Sequence, residues 1–139
     1  MLFRSRPAFH ELALWGRLTR EGFDQRGRWA IFARTSVRMF AARPRTTVPF
    51  VARRGEKPGG SAGLLLHLGG ALCFSGSVIP SQRGRGLQPA LLAARLLHGL
   101  ERGVTAFFGQ TARQGSSADN LREAGFRQLW RYSFWRLPS

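Results

Sequence analysis

The chain has 139 residues, 43% of them hydrophobic, with 22 basic side chains against 7 acidic ones and a net charge of +15. That length suits one domain around one core. The single cysteine, Cys73, excludes an internal disulfide, and no apolar run nears the roughly 18 residues of a membrane-spanning helix.

Taken in chain order, the N-terminal MLFRSRPAFHELALW is basic and lacks an apolar stretch followed by a small-residue cleavage site. It does not read as a secretory signal, and a cytoplasmic protein is the expectation. Phe9, Leu12, Leu14, Trp15 and Leu18 recur mostly at three- and four-residue intervals, which predicts an amphipathic helix from Phe9 to Glu21. Arg28 to Ala42 forms a second candidate helix. Thr46, Thr47, Val48, Phe50 and Val51 favour a strand, and Gly55 to Gly60 supplies turn residues. Gly63 to Leu68 and Ala71 to Ile79, separated by Gly69 and Gly70, read as a hairpin.

Beyond the hairpin, Leu87 to Leu100 is a predicted helix with Leu87, Leu91, Ala94, Leu97 and His98 towards the core. Pro89 falls in its first turn, where a missing N–H costs nothing. Val104 to Gln110 returns to strand composition. Ser116 or Ser117 can cap a short helix through Ala124, Gly125 closes it, and Phe126 to Leu137 suits a terminal strand or hairpin. The order is a mixed α+β domain, with a crossover helix between the third and fourth strands. One domain over 1–139 is expected, helical in 1–45 and with the functional core in 46–137.

The junction SQRGRGLQPALL places two arginines and two glycines between a predicted strand and a predicted helix. Gly84 and Gly86 let the backbone turn sharply, so that the amides of Arg83 to Gln88 converge at a helix N-terminus. Such a concavity attracts phosphate, and Arg83 and Arg85 can add charge-assisted bonds. The alternative is a strand-to-helix turn that merely bends. The junction lacks the Lys and Ser or Thr of a nucleotide-hydrolysing phosphate loop.

VIPSQRGRGLQPALLAARL, then a glycine, a strand, the serine-rich helix SSADN and finally AGFR, resembles the acyl-CoA-binding core of the GNAT family of N-acetyltransferases. Arg83, Gly84, Arg85, Gly86 and Leu87 match the family signature, with Gln88 where a final small residue is usual. The resemblance covers roughly residues 46 to 136. It implies a GNAT-like acyl-CoA N-acyltransferase fold, with a central, mostly antiparallel sheet flanked by helices. It also implies an N-acetyltransferase that moves an acetyl group from acetyl-CoA, as cosubstrate, to a primary amine of a small molecule or peptide. Arg83 to Gln88 would hold the pyrophosphate, and the strand ending at Ile79 would pair with the pantetheine arm. A backbone N–H near Ser77 to Ile79 would stabilise the oxyanion.

The acid and base are harder to place. Many family members carry a tyrosine four residues before the Gly-Phe pair, where this chain has Leu121. Ser117 and Asn120 match a family pattern of serine and then asparagine three later, with Asn120 towards the cofactor. Helix capping is the alternative for both. Ser117 and Tyr132 are the candidate proton donors, although Tyr132 also suits core packing. Glu21 and Asp24 are remote candidates for a base. His10, His67 and His98 are too scattered for a metal site.

Family members begin with a strand before the first helix, and MLFRSRPAF offers no clear counterpart. A truncated chain, or a homodimer or other partner supplying an edge strand, is the corresponding expectation. Two other readings stand beside acyl transfer. One is a catalytically degenerate acyl-CoA-binding protein. The other is a basic nucleic-acid-binding module, but all the basic residues except Lys57 are arginines, scattered from Arg4 to Arg136. That distribution favours weak, salt-sensitive adhesion over a specific interface.

Overall fold

The structure, a computed structural model, describes residues 2–4, 11–23, 28–112, 114–133, 135 and 137–138. Its elements are β1 (Leu2–Arg4), α1 (Leu12–Gly22), α2 (Arg28–Ala42), β2 (Thr47–Arg54), β3 (Lys57–His67), β4 (Gly70–Val78), α3 (Leu87–Leu100), β5 (Ala106–Gly109) and α4 (Ser116–Glu123). The five strands form one sheet in sequence order. Pairing is antiparallel from β1 to β4, and β5 joins β4 in parallel after the α3 crossover. None of the described helices is long and apolar enough to cross a membrane.

A first correction concerns the N-terminal strand. It is present: Leu2, Phe3 and Arg4 pair with Arg53, Ala52 and Val51 of β2. Three residues are too short for an alternation to show in sequence, and the strand depends on backbone pairing at the sheet edge. The first helix starts at Leu12, and the remainder of its expected start, residues 9 and 10, lies outside the described residues.

The β2–β3 turn is also tighter than predicted. It uses Gly55 and Glu56, and Lys57 to Gly60 belong to β3. Gly59 and Gly60 act here through their small size. A Cβ on Gly59 would lie 2.7 Å from Cδ1 of Leu87, and one on Gly60 would lie 3.0 Å from Cδ1 of Leu91, so α3 seats directly on this part of β3. The β3–β4 hairpin forms, with its turn one residue earlier than the predicted Gly69-Gly70, so that Gly70 already belongs to β4. Its turn residues Leu68 and Gly69 both have positive φ, 47° and 76°, the pattern that matches strand twist.

Both faces of the sheet are covered. Val48, Phe50 and Ala52 alternate along β2 towards α3, where they meet Leu64, Leu87 and Leu91. Val51 points the other way, into a cluster with Leu12, Trp15, Leu18 and Phe40 from α1 and α2. Leu87 and Leu91 are essentially inaccessible, and each contributes roughly 1.5 to 3 kcal/mol through burial. Trp15 stands edge-on to Phe40 with centroids 4.8 Å apart, and Phe40 stacks on Phe74 of β4 at 5.8 Å.

A last correction falls at the C-terminus. Described residues 126–133 form no strand, contrary to the alternation of FRQLWRYSFW. Phe126 packs against the core, whereas Leu129, Trp130 and Trp135 are exposed. The apolar pattern alone does not supply a pairing partner, and β5 is the last strand of the described sheet.

Candidate functional site

The middle of β4 is irregular. Ser61 pairs with Ser77 and Gly63 with Phe74, so Ser75 and Gly76 together oppose Ala62 alone. This is a β-bulge, and Ser75 adopts φ 55°, rare for a residue with a side chain. Pairing between β4 and β5 stops just before it, at Cys73 and Gly109. The two parallel strands part at the bulge and leave a small cleft, with a cavity volume of about 50 Å³, roofed by α3 and α4.

Side chains occupy the carbonyls around the bulge. Trp15 Nε1 donates to the Ala62 carbonyl at 2.9 Å, and Gln88 Nε2 to that of Gly76 at 2.9 Å. The Arg95 NH1 group reaches the Gly63 and Phe74 carbonyls at the longer distances of 3.5 and 3.4 Å. Ser75 and Gly76 have no register partner across the bulge.

One end of the cleft leads to the arginine-glycine junction. After Ile79 the chain makes one 3-10 turn (Pro80–Gln82), then runs through Gly84 and Gly86, whose φ values of 70° and 77° lie in the left-handed region, into the first turn of α3. Those angles suit glycine. Gly86 is the N-cap, and no side chain caps this helix, so its first amides are open to an external anion. Arg85 is exposed. Arg83 is instead engaged with the protein itself. Its Nε donates to Val78 O at 3.2 Å and NH2 to Gly22 O at 3.1 Å, which ties the loop to the end of α1.

Of the other expected site residues, Gln88, Ser117 and Asn120 line the cleft with Leu121. Neither Ser117 nor Asn120 caps α4, whose N-cap is Gly115 with no side-chain bond. Leu87 is fully buried in the core. Ile79 packs against the α1 and α2 cluster, and its N–H donates to Gly59 O at 2.9 Å. The strand amide proposed for the oxyanion therefore cannot be that of Ile79, and the irregular residues lie upstream at Ser75 and Gly76. Tyr132 is half exposed in the irregular segment after α4 and is not among the cleft-lining residues. Glu21 is ion-paired to Arg17 at 3.6 Å, and Asp24 lies outside the described residues.

Several features were not anticipated from sequence. Thr19 Oγ1 and Ser61 Oγ are 2.8 Å apart, and Ser61 Oγ lies 3.3 Å from Ser77 Oγ, so a buried row of hydroxyls runs from α1 to β4. Cys73 and Arg95 lie at the paired end of the cleft. Burial pushes the Cys73 thiol up, partly offset by the Arg95 charge, and burial pushes Arg95 down. A signal for Arg95 did exist: it falls four and eight residues after Leu91 and Leu87, on the buried stripe of α3.

No protein-family model matches this chain, and no curated protein matches it in sequence. Solved structures do match along nearly the whole length. AAC(6')-Iy in complex with the bisubstrate analogue CoA-S-monomethyl-acetylneamine superposes with a TM-score of 0.75 at 18% identity, covering 99% of this chain and 98% of that one. A predicted acetyltransferase of Clostridium acetobutylicum with acetyl-CoA gives 0.76 at 11% identity, over 97% and 96% of the two chains. A GCN5-related N-acetyltransferase of Ralstonia eutropha JMP134 gives 0.70 at 20%, over 97% and 99%. The chain has the fold of the GCN5-related N-acetyltransferases, as the RGRG junction and the order of elements suggest.

Proposed function

We propose that the protein is an N-acyltransferase that takes an acyl group from acetyl-CoA or another acyl-CoA and delivers it to a primary amine. The observation that carries this reading is the continuity of three features: an uncapped α3 N-terminus with Arg85 beside it, a cleft between β4 and β5, and the bulge at Ser75 and Gly76. In this reading the amides of Gly84 to Gln88 and the Arg85 guanidinium hold the pyrophosphate. The pantetheine arm lies along the free edge of β4 beyond Cys73, beside Ser117 and Asn120. Side-chain donors already occupy the carbonyls of Ala62 and Gly76, so the thioester oxygen meets bulge amides. Each such donor contributes on the order of 3 kcal/mol in enzymes that use this device.

The amine nitrogen attacks the thioester carbon, the C–S bond breaks, the nitrogen gives up a proton and the departing thiolate takes one. The hydroxyl row of Thr19, Ser61 and Ser77 offers a path for the first proton. Ser117 or solvent supplies the second. The net charge of +15 repels polycations at long range and favours neutral or anionic amine acceptors. A panel of amino acids, peptides, polyamines and the aminoglycoside neamine, assayed by release of free thiol, tests the reaction. Turnover of any one supports it. Binding of acyl-CoA with no turnover across the panel would favour a degenerate binding protein, and tighter binding of duplex DNA than of acetyl-CoA at physiological salt would favour the nucleic-acid reading. A second copy of the chain is the proposed partner, seated at the edge of β5, the last strand of the described sheet, and sedimentation equilibrium checks it.

A further inference from the structure

Arg95 is 5% exposed, yet no acidic side chain among the described residues pairs with it. The ion pairs among the described residues use Arg17, Arg53, Arg102 and Arg122. Among the described residues that line the cleft, Arg95 is the one that carries a charge. The titratable group that acts on its charge is Cys73, whose thiol burial pushes up and so keeps neutral. A guanidinium withdrawn from water in this way is costly unless its donors are engaged.

The engagement is incomplete. Nε donates to Leu91 O at 3.1 Å, within its own helix, and NH1 makes only the two long contacts to Gly63 O and Phe74 O. The NH2 group makes no hydrogen bond among the described residues. It lies 3.3 Å from the point where a side chain on Gly76 would begin, so it borders the bulge itself. The cleft therefore presents the two N–H bonds of a cationic NH2 group close to the position proposed for the thioester. A carboxylate suits such a group, because it accepts a charge-assisted hydrogen bond from it.

We propose that Arg95 sets acyl specificity: its guanidinium receives the terminal carboxylate of a short dicarboxylic acyl group, so that the preferred donor is a malonyl- or succinyl-type CoA thioester rather than acetyl-CoA. This inference rests on the acyl-CoA reading of the cleft. An acetyl group ends in a methyl, which leaves NH2 unpaired. An acyl group with one or two methylenes and a carboxylate places an anion within its reach. Cys73 and Leu92, beside it in the cleft, accommodate the methylenes.

Stable thioethers separate the two levels of the proposal. Calorimetric titration compares CoA, S-propyl-CoA and S-(2-carboxyethyl)-CoA, which match in chain length, and then S-butyl-CoA and S-(3-carboxypropyl)-CoA. High salt screens the overall charge of the protein. The expected result is at least about tenfold tighter binding of one carboxylated ligand than of its neutral counterpart, the size of a charge-assisted hydrogen bond. Arg95→Met should bring that ratio close to one, and Arg95→Lys should leave an intermediate ratio. Equal affinity of each pair in the wild-type protein overturns the proposal, as does an unchanged ratio in folded Arg95→Met. Failure to bind CoA itself overturns the acyl-CoA reading as well. Binding of CoA without a carboxylate preference overturns only the role of Arg95.

Discussion

The amide of Gln88 donates to the carbonyl of Gly76 at 2.9 Å, tying the first turn of α3 to the bulge of β4. The phosphate-binding loop and the reaction centre of the proposed enzyme are thus one mechanical unit. Gln88→Ala removes the bond and leaves the Gly76 carbonyl without its donor. The expected cost is about 1 kcal/mol of stability, seen as a lower urea midpoint, with several-fold weaker acetyl-CoA binding. A drop in stability with unchanged affinity would confine Gln88 to a structural role.

Arg85 is exposed beside the uncapped N-terminus of α3, so charge reversal there tests the pyrophosphate site at little cost to the fold. Arg85→Glu should weaken acetyl-CoA about tenfold or more at low salt, and the loss should shrink as salt rises. Gly86→Glu should weaken binding further, with a loss of stability, because φ at this position is 77°. Unchanged affinity in folded Arg85→Glu would place the pyrophosphate elsewhere.

The sequence made much of this legible, for identifiable reasons. α3 forms between Leu87 and Leu100, as its leucine spacing and Pro89 indicate, and α2 keeps its predicted limits. What stayed hidden depends on pairing between distant segments. β1 is too short to show a period. The bulge is a mismatch of two residues against one, invisible until β3 and β4 are aligned. Phe126 to Tyr132 alternates like a strand, yet no described neighbour pairs with it. Arg95 was readable as a charge on a buried stripe, but that no acidic residue among the described ones pairs with it appears only once the carbonyls of β3 and β4 surround it.

Leu121 lines the cleft and lies against Gly109, where a Cβ would come within 3.0 Å of Leu121 Cδ1. Leu121→Tyr projects a phenol into the cleft and should raise turnover wherever thiolate protonation limits the rate. A proton donor commonly contributes on the order of 100-fold. Ser117→Ala should lower the rate if this hydroxyl is the native donor, whereas Tyr132→Phe should leave it unaltered. These rates are to be measured with an acceptor identified from the amine panel. A loss of activity in folded Tyr132→Phe would make this hydroxyl the better candidate for the proton donor.

Cys73 is buried and its thiol is pushed up, chiefly by burial. In the unfolded chain a thiol ionises near pH 8.5, about its ordinary value. Above that pH the native state holds a proton that the unfolded state has lost, so stability must fall as pH rises; below it the contribution is fully present. Urea unfolding between pH 7 and 10 should show this decline, and Cys73→Ala should flatten it. Native Cys73 should also resist alkylation until the protein unfolds.

The most direct test of the central claim is a titration of acetyl-CoA into isotopically labelled protein, followed by backbone amide resonances. Saturable shifts are expected at Ser75 and Gly76 of the bulge, at Gly84 to Gln88, and at Ser117 and Asn120, with little change at the far hairpin around Leu68. Saturable binding that shifts other residues and leaves the bulge and the RGRG loop unmoved would contradict it, as would no binding at millimolar acetyl-CoA.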